Sequence, residues 1–466
     1  MGKYILLIKN TGLLALSSIS TKLISFLLLP LYTYYLSTEE YAAIDLITLL
    51  QTLLVPVLTL SLFEAVLRFG IERCKDRKKI FTVGFIASVV SCLIVCFCAG
   101  PVMQALELSQ YKFFWIAVYS VTVFMSFFGV FSRTIGKIKL MAVVSAFSSI
   151  SVIILNVFAV AVFKLGVSGY LSAMIIGNGI GCCLYMIKGK FYTYFDFKVD
   201  RNLLKQMLIY AIPMIPNSIL WWINNSVNKF FLSSMATLSV VGIFSVASKI
   251  PMLMDTLNRI FQQAWSLSAF QEFDSDKSKQ FYSNIFNIFS IIMMFISAGV
   301  VLCSELIGRL MFSKDFFIAW KLVPWLIAGA FFTTLSSFLA SIFMAYKKTK
   351  VLFLTNGVGA VINVLLSLLL IPKYGADGAA VSALISNYVI WLMSYYLVSK
   401  FIRLEFNFFK ATLMHIMLIA ECIVISQDIK FSVVYAMIIC MVLLGMNIFK
   451  FKEIGKLVLK KKGKNK

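Results

Sequence analysis

Residues 80–101 read IFTVGFIASVVSCLIVCFCAGP, twenty-two positions without one acidic or basic side chain. They follow RFGIERCKDRKK at 68–79, which carries six Lys and Arg. A helix rises about 1.5 Å per residue, so roughly 20 apolar residues cross the ~30 Å hydrocarbon of a bilayer. The uncharged run is therefore a spanning helix. The cationic run before it is the kind of loop that stays on the cytoplasmic side.

The same alternation fills the chain of 466 residues. Segments that reach or approach spanning length are 11–35, 41–66, 80–101, 111–131, 140–163, 166–187, 207–232, 240–262, 281–303, 319–343, 351–371, 376–398, 408–426 and 431–448. The expected fold class is an all-α polytopic membrane protein of about 14 transmembrane helices joined by short loops. Composition agrees. The chain is 61% hydrophobic and 14% charged, against about 25% charged in a soluble domain. Its mean hydropathy is +0.92. The stretch from Thr11 to Leu36 is too long for a signal-peptide core and reads as the first span.

Charge sets the orientation. With the N-terminus in the cytoplasm, alternate loops place 32 Lys and Arg inside and 7 outside, and four lie within spans. A missed span would invert every loop after it, so this bias supports fourteen spans with both termini cytoplasmic. The excess of 43 Lys+Arg over 20 Asp+Glu is thus explained by topology and anionic headgroups. No zinc-finger, RNA-recognition or basic-zipper pattern accompanies it, so nucleic acid is not an expected partner. The nine Cys form no CxxC pair and lie mostly in apolar runs, so no metal site and no disulfide framework is indicated. No cofactor is expected.

An internal repeat organises the spans. Lys164-Leu-Gly166-x-x-Gly169 is followed by Asn178, and Lys373-Tyr-Gly375-x-x-Gly378 by Asn387, each Asn twelve residues after the first Gly. Asn156 and Asn363 precede the two copies. The offset is 207 to 209 residues here and about 200 near the start, where Tyr41-Ala-Ala-Ile44 aligns with Val241-Gly-Ile-Phe244. Spans 1–6 therefore repeat as spans 7–12. The expected domains are an N-terminal six-helix lobe (1–190), a C-terminal lobe (191–400), and two appended spans with a basic cytoplasmic tail (401–466). Parallel repeats of this kind place a transport site at their interface.

An ionisable side chain inside a span costs about 2.5 to 3.5 kcal/mol on insertion scales, so it faces the protein interior. Lys22 sits near the middle of span 1, Asp45 and Glu64 in span 2, Asp255 and Arg259 in span 8. Glu64–Arg68 and Asp255–Arg259 have i,i+4 spacing, which also suits a plain local helix pair. In span 7, Asn217, Trp221, Asn224 and Asn228 fall at i, i+4, i+7 and i+11. Ser218, Trp222, Asn225 and Lys229 repeat the spacing one residue on, giving one broad polar-aromatic face. Such a face can hydrogen-bond sugar hydroxyls, stack on sugar rings and neutralise phosphate; it can equally serve as polar glue between helices. Lys249 lies in mid-span 8. If Lys22, Lys229, Lys249 and Arg259 line one cavity, that cavity is cationic and suits an anionic substrate. The lone His415, in span 13, reads as a packed residue.

The ordered series Pro30-Leu-Tyr32, Leu36-Ser-Thr-Glu-Glu-Tyr41, Tyr210-Ala-Ile-Pro213 with Pro216-Asn217, Val241-Gly-Ile-Phe-Ser-Val-Ala-Ser-Lys249, Phe261-Gln-Gln-Ala-Trp265 and Pro372-Lys-Tyr-Gly375-x-x-Gly378-Ala-Ala resembles the bacterial oligosaccharide-lipid flippases of Wzx type. These belong to the multidrug/oligosaccharidyl-lipid/polysaccharide exporter superfamily. The resemblance covers essentially the whole chain. It implies two six-helix lobes around a central cavity, alternating access, and a substrate of undecaprenyl-diphosphate-linked oligosaccharide moved to the outer leaflet of the bacterial inner membrane for O-antigen or other surface polysaccharide, next to the polymerase machinery. Lys22, Lys229 and Lys249 match positions where the family tends to place cavity cations; together with the in-span Arg259 and the span-7 residues Trp221, Trp222, Asn224, Asn225 and Asn228 they are the expected substrate contacts. Asp45, Glu64 and Asp255 become the candidates for coupling to H+ or Na+, because no GxxxxGK[ST] loop is present to bind ATP. The family often carries Asp-Arg late in span 7, where this chain has Asn228-Lys229, so a coupling role there is in doubt. A lipid II-type flippase and a MATE-like drug or metabolite antiporter are the alternatives. An enzyme is not expected, since the longest outer loop, about 304–318, is short.

Overall fold

The computed structural model describes residues 26, 28–72, 76–196, 200–271, 278–346, 348–400, 402, 404–427, 431–443 and 445. Among these there are helices and turns and no strand. The chain runs through α1 (Leu29–Tyr35), α2 (Thr38–Leu58), α3 (Leu62–Glu72), α4 (Arg77–Ala105), α5 (Lys112–Thr134), α6 (Ile138–Asn156), α7 (Gly166–Gly189), α8 (Arg201–Ala211), α9 (Ile215–Met235), α10 (Leu238–Ala247), α11 (Pro251–Gln271), α12 (Ser278–Leu302), α13 (Ser304–Met311), α14 (Val323–Ala345), α15 (Thr349–Ser399), α16 (Phe408–Ser426) and α17 (Ser432–Leu443).

Most of the expected spans are found among the described residues. Ten helices among the described residues are long and apolar enough to cross a membrane, and α10 with the first part of α11 makes an eleventh, broken span. The 51-residue α15 contains the two expected spans 351–371 and 376–398, with Gly375 between them at φ 54°, ψ −126°. α17 covers the described part of span 14, and α1 is the end of span 1, whose earlier residues lie outside those described. One span differs from its expected form. Segment 41–66 is two helices, α2 and α3, because Pro56 and the turn at 59–61 interrupt it. Leu60 and Ser61 both take positive φ, 51° and 52°, and the Pro56 carbonyl accepts the Ser61 N–H at 2.7 Å.

Local sequence explains several of the joints. Ser37-Thr-Glu-Glu40 is a capping box: the Ser37 hydroxyl accepts the Glu40 N–H and the Glu40 carboxylate accepts the Ser37 N–H. The two copies of the repeated Gly motif have the same backbone feature, Gly166 at φ 55° and Gly375 at φ 54°. The Gly375 angles belong to a region that other residues enter only at about 1–3 kcal/mol. Gly375→Ala is therefore expected to lower stability by about that amount, read as a lower melting temperature in detergent; an unchanged melting temperature would remove the backbone argument. Asn156 and Asn363, the matching residues ahead of each copy, are both fully buried.

Contacts divide the chain into two compact units, 1–245 and 246–466. The division falls later than the lobe boundary at 190/191 that the repeat suggests, so α8, α9 and most of α10 group with the first unit. Within that unit, α5 packs on α4 and α7, α6 on α7, α8 on α3, and α9 on α2. Its densest core is aromatic, with Phe81 against Phe127, Phe131 and Phe195. In the second unit α14 is central and packs against α11, α12, α15 and α16. Trp265 stacks on Phe338 at 4.3 Å, and His415 lies among Phe331, Phe332, Tyr388 and Trp391 as a packed residue.

Candidate functional site

The most heavily charged buried point among the described residues of the first unit joins α2, α9 and α10. Asp45 and Lys229 are 7% and 8% exposed. Lys229 Nζ donates to Asp45 Oδ2 at 2.6 Å, and Ser245 Oγ donates to the same oxygen at 2.8 Å. Ions removed from water persist only when paired and hydrogen-bonded, and here the carboxylate has both partners. The contact continues along α2 in both directions. Thr38 and Ser239 hydroxyls meet at 2.7 Å, and Trp222 Nε1 donates to the Leu49 carbonyl at 3.3 Å. Gly242 allows the approach: a Cβ there would stand 1.9 Å from the Thr38 carbonyl oxygen. Asp45 and Ser245 are 200 residues apart, the offset of the repeat at this place. Residues that follow the two aligned segments thus touch each other.

Lys229, expected as one of the cavity cations, is ion-paired here with Asp45. The acid that holds it is 184 residues away and was invisible as a local neighbour. Asp45, expected as an ion-coupling candidate, is the anchor of this clasp. The signal was nonetheless in the sequence, since extending the aligned Tyr41–Ile44 and Val241–Phe244 by one residue sets Asp45 against Ser245.

The broad face expected on span 7 is divided. Trp222, Asn228 and Lys229 are buried, and Trp222 also meets Phe230 edge-on at 5.1 Å. Trp221 is 57% exposed, and its carbonyl accepts the exposed Asn225 amide at 2.7 Å. Asn224 is half-buried. Successive helical residues point about 100° apart, so two adjoining stripes face different surroundings once one of them docks on α2.

The remaining candidates differ in their local settings. Lys22 lies outside the described residues. Glu64 is exposed in the first turn of α3, and Arg68 pairs with Glu72 at 3.2 Å rather than with Glu64. Arg68 also lies over the Tyr210 ring at 4.6 Å. In the second unit Lys249 occupies the half-buried turn before α11, Asp255 is half-buried on α11, and Arg259 is exposed on it.

The helical architecture is a transporter fold seen in several solved structures. Lipid II flippase MurJ in an inward closed conformation is similar with a TM-score of 0.71 at 17% identity, over 94% of this chain and 99% of that one. An inward-facing multidrug resistance MATE family transporter of the MOP superfamily gives 0.70 at 15% identity, over 83% and 97%. A MOP superfamily transporter from Pyrococcus furiosus, described as having a binding pocket of reversed polarity, gives 0.60 at 17% identity, over 84% and 95%. No curated protein matches the sequence. The family described as Polysaccharide biosynthesis protein matches residues 7–266, more than half of the chain. The chain belongs to this family, and it is a multi-pass membrane protein with the fold of the MurJ and MATE transporters.

Proposed function

We propose that this protein is a flippase for undecaprenyl-diphosphate-linked oligosaccharide repeat units, carrying them across the bacterial cytoplasmic membrane by alternating access for O-antigen or related surface polysaccharide. Membership of the polysaccharide biosynthesis family supports the substrate class. The observation that carries the mechanism is the buried Lys229–Asp45–Ser245 clasp. With the N-terminus inside, loops 36–37 and 236–237 face outward, so the clasp closes the outer end of spans 2, 7 and 8. A paired charge at such a place is a two-state element: intact it seals the outer side, and its separation opens it. The prenyl tail stays in lipid while the sugar and diphosphate cross through the protein. Lys22, Lys249 and Arg259 supply positive charge for the diphosphate, and the exposed Trp221 and Asn225 offer a stacking face and an amide to sugar. Asp255 and Glu64 remain the candidates for a coupling H+ or Na+.

Deletion of the gene, followed by chemical analysis of lipid-linked intermediates, tests this. A complete diphosphate-linked repeat unit should accumulate on the cytoplasmic side. Accumulation of lipid II instead would make the protein a cell-wall flippase, which the MurJ-like fold favours as second reading. Lys22→Ala and Lys249→Ala should each abolish surface polymer while the protein still inserts. Normal polymer in both would withdraw their role.

A further inference from the structure

Helix α8 presents two unlike faces. Leu203, Met207 and Ala211 are buried, holding the helix on the first unit. The opposite side lines an open groove of about 370 Å³. Arg201 and Lys205 stand at its start, followed by Leu204, Leu208, Ile209 and Ile212. Ile209 is 65% exposed and Ile212 48%, which is unusual for side chains of this size unless lipid or a ligand covers them.

The two cations are uncompensated. Neither Arg201 nor Lys205 has an acidic partner among the described residues. The adjacent acid, Asp200, is engaged elsewhere. One oxygen accepts the N–H groups of Asn202 and Leu203, and the other accepts Lys79 Nζ at 3.0 Å. The Lys79 ammonium holds the Asp200 carboxyl below the usual carboxylate range, so it stays ionised and committed to Lys79.

Length fits a membrane amphiphile. From Arg201 to Ile212 the helix rises about 16 Å. One headgroup layer takes roughly 5–7 Å and half the hydrocarbon about 15 Å. A cationic first turn at headgroup depth therefore leaves about 10 Å of apolar strip inside the leaflet. The cations are one helical turn apart, with Cβ atoms about 5–6 Å from each other. A diphosphate diester carries one negative charge on each phosphate, two in all, and a guanidinium fork beside an ammonium matches that better than a lone phosphodiester.

We infer that this groove is a loading site on the cytoplasmic leaflet for a polyprenyl diphosphate, with the diphosphate on Arg201 and Lys205 and the first prenyl units along Leu208, Ile209 and Ile212. This rests on the flippase reading and adds to it a capture point at the foot of span 7, separate from the cations within the spans. The test uses the full chain in phosphatidylcholine nanodiscs, titrated with a C20 polyprenyl diphosphate. Wild type should bind. Arg201→Ala/Lys205→Ala should weaken binding at least tenfold, and Lys205→Arg should retain it. Ile209→Gln/Ile212→Gln should weaken binding of the C20 compound and leave methyl diphosphate unaffected. Phosphatidylglycerol at equal mole fraction should not compete. No binding by wild type would overturn this site, while the flippase reading is decided separately by which lipid-linked intermediate accumulates on deletion. Binding by wild type and the Arg201→Ala/Lys205→Ala variant alike would overturn the site alone, as would equal competition by phosphatidylglycerol.

Discussion

Asp45→Ala is expected to abolish surface polysaccharide and to destabilise the protein by about 3–5 kcal/mol, the usual consequence of leaving a buried charge without its partner. The ammonium of Lys229 would remain in a site almost closed to water and would lose the carboxylate that neutralises it. The structure must then open toward water or unfold. Removing both charges separates these effects. Asp45→Leu/Lys229→Met replaces the pair with apolar groups of similar bulk, which is often neutral for stability. That double variant should melt near the wild-type temperature yet make little polymer, because its closed form is no longer held by a bond that can break and re-form. Asp45→Lys/Lys229→Asp should recover part of both. Wild-type melting and wild-type polymer in Asp45→Ala would show that the clasp neither stabilises nor switches anything.

Gly242→Val should produce the second large effect, by wedging rather than by charge. The added carbon would overlap the carbonyl oxygen of Thr38 at 1.9 Å and its carbonyl carbon at 2.7 Å. Both are backbone atoms, which cannot rotate aside as a side chain can. α10 must withdraw from α2, and overpacking of this kind costs about 1–3 kcal/mol. The direct measurement is a cross-link. Thr38→Cys/Ser239→Cys places two thiols where hydroxyls now touch at 2.7 Å, and they should couple rapidly under mild oxidation. Adding Gly242→Val should slow that coupling at least tenfold and eliminate polymer. Undiminished coupling would mean that the contact tolerates the side chain and that the helices do not meet as described.

The fold was legible because a bilayer leaves a chain few choices. Uncharged runs such as 80–101 could only be helices, and the Gly motifs at 166 and 375 marked their ends. The break within span 2 was harder to see, since Pro56 is compatible with either a kink or a clean interruption, and the turn at 59–61 is made by Leu60 and Ser61, not by glycine. The site was legible in its members and not in its pairings. Lys229 and Asp45 each stood out as a charge within a span, but a helix face says nothing about which distant helix will cover it. The i,i+4 spacing of Glu64 and Arg68 was ambiguous for a related reason: Arg68 has an acid one turn away on either side, and it pairs with Glu72 while lying over Tyr210 of α8.

The meeting of Asp45 with Ser245 has a consequence for the repeat. Positions 45 and 245 follow the aligned segments Tyr41–Ile44 and Val241–Phe244, yet the contact depends on their being different. Two aspartates there would repel, and two serines would leave the neighbouring lysine without neutralisation. The latch needs an acid on α2 and a hydroxyl on α10, so the residues at 45 and 245 cannot be made alike without losing it.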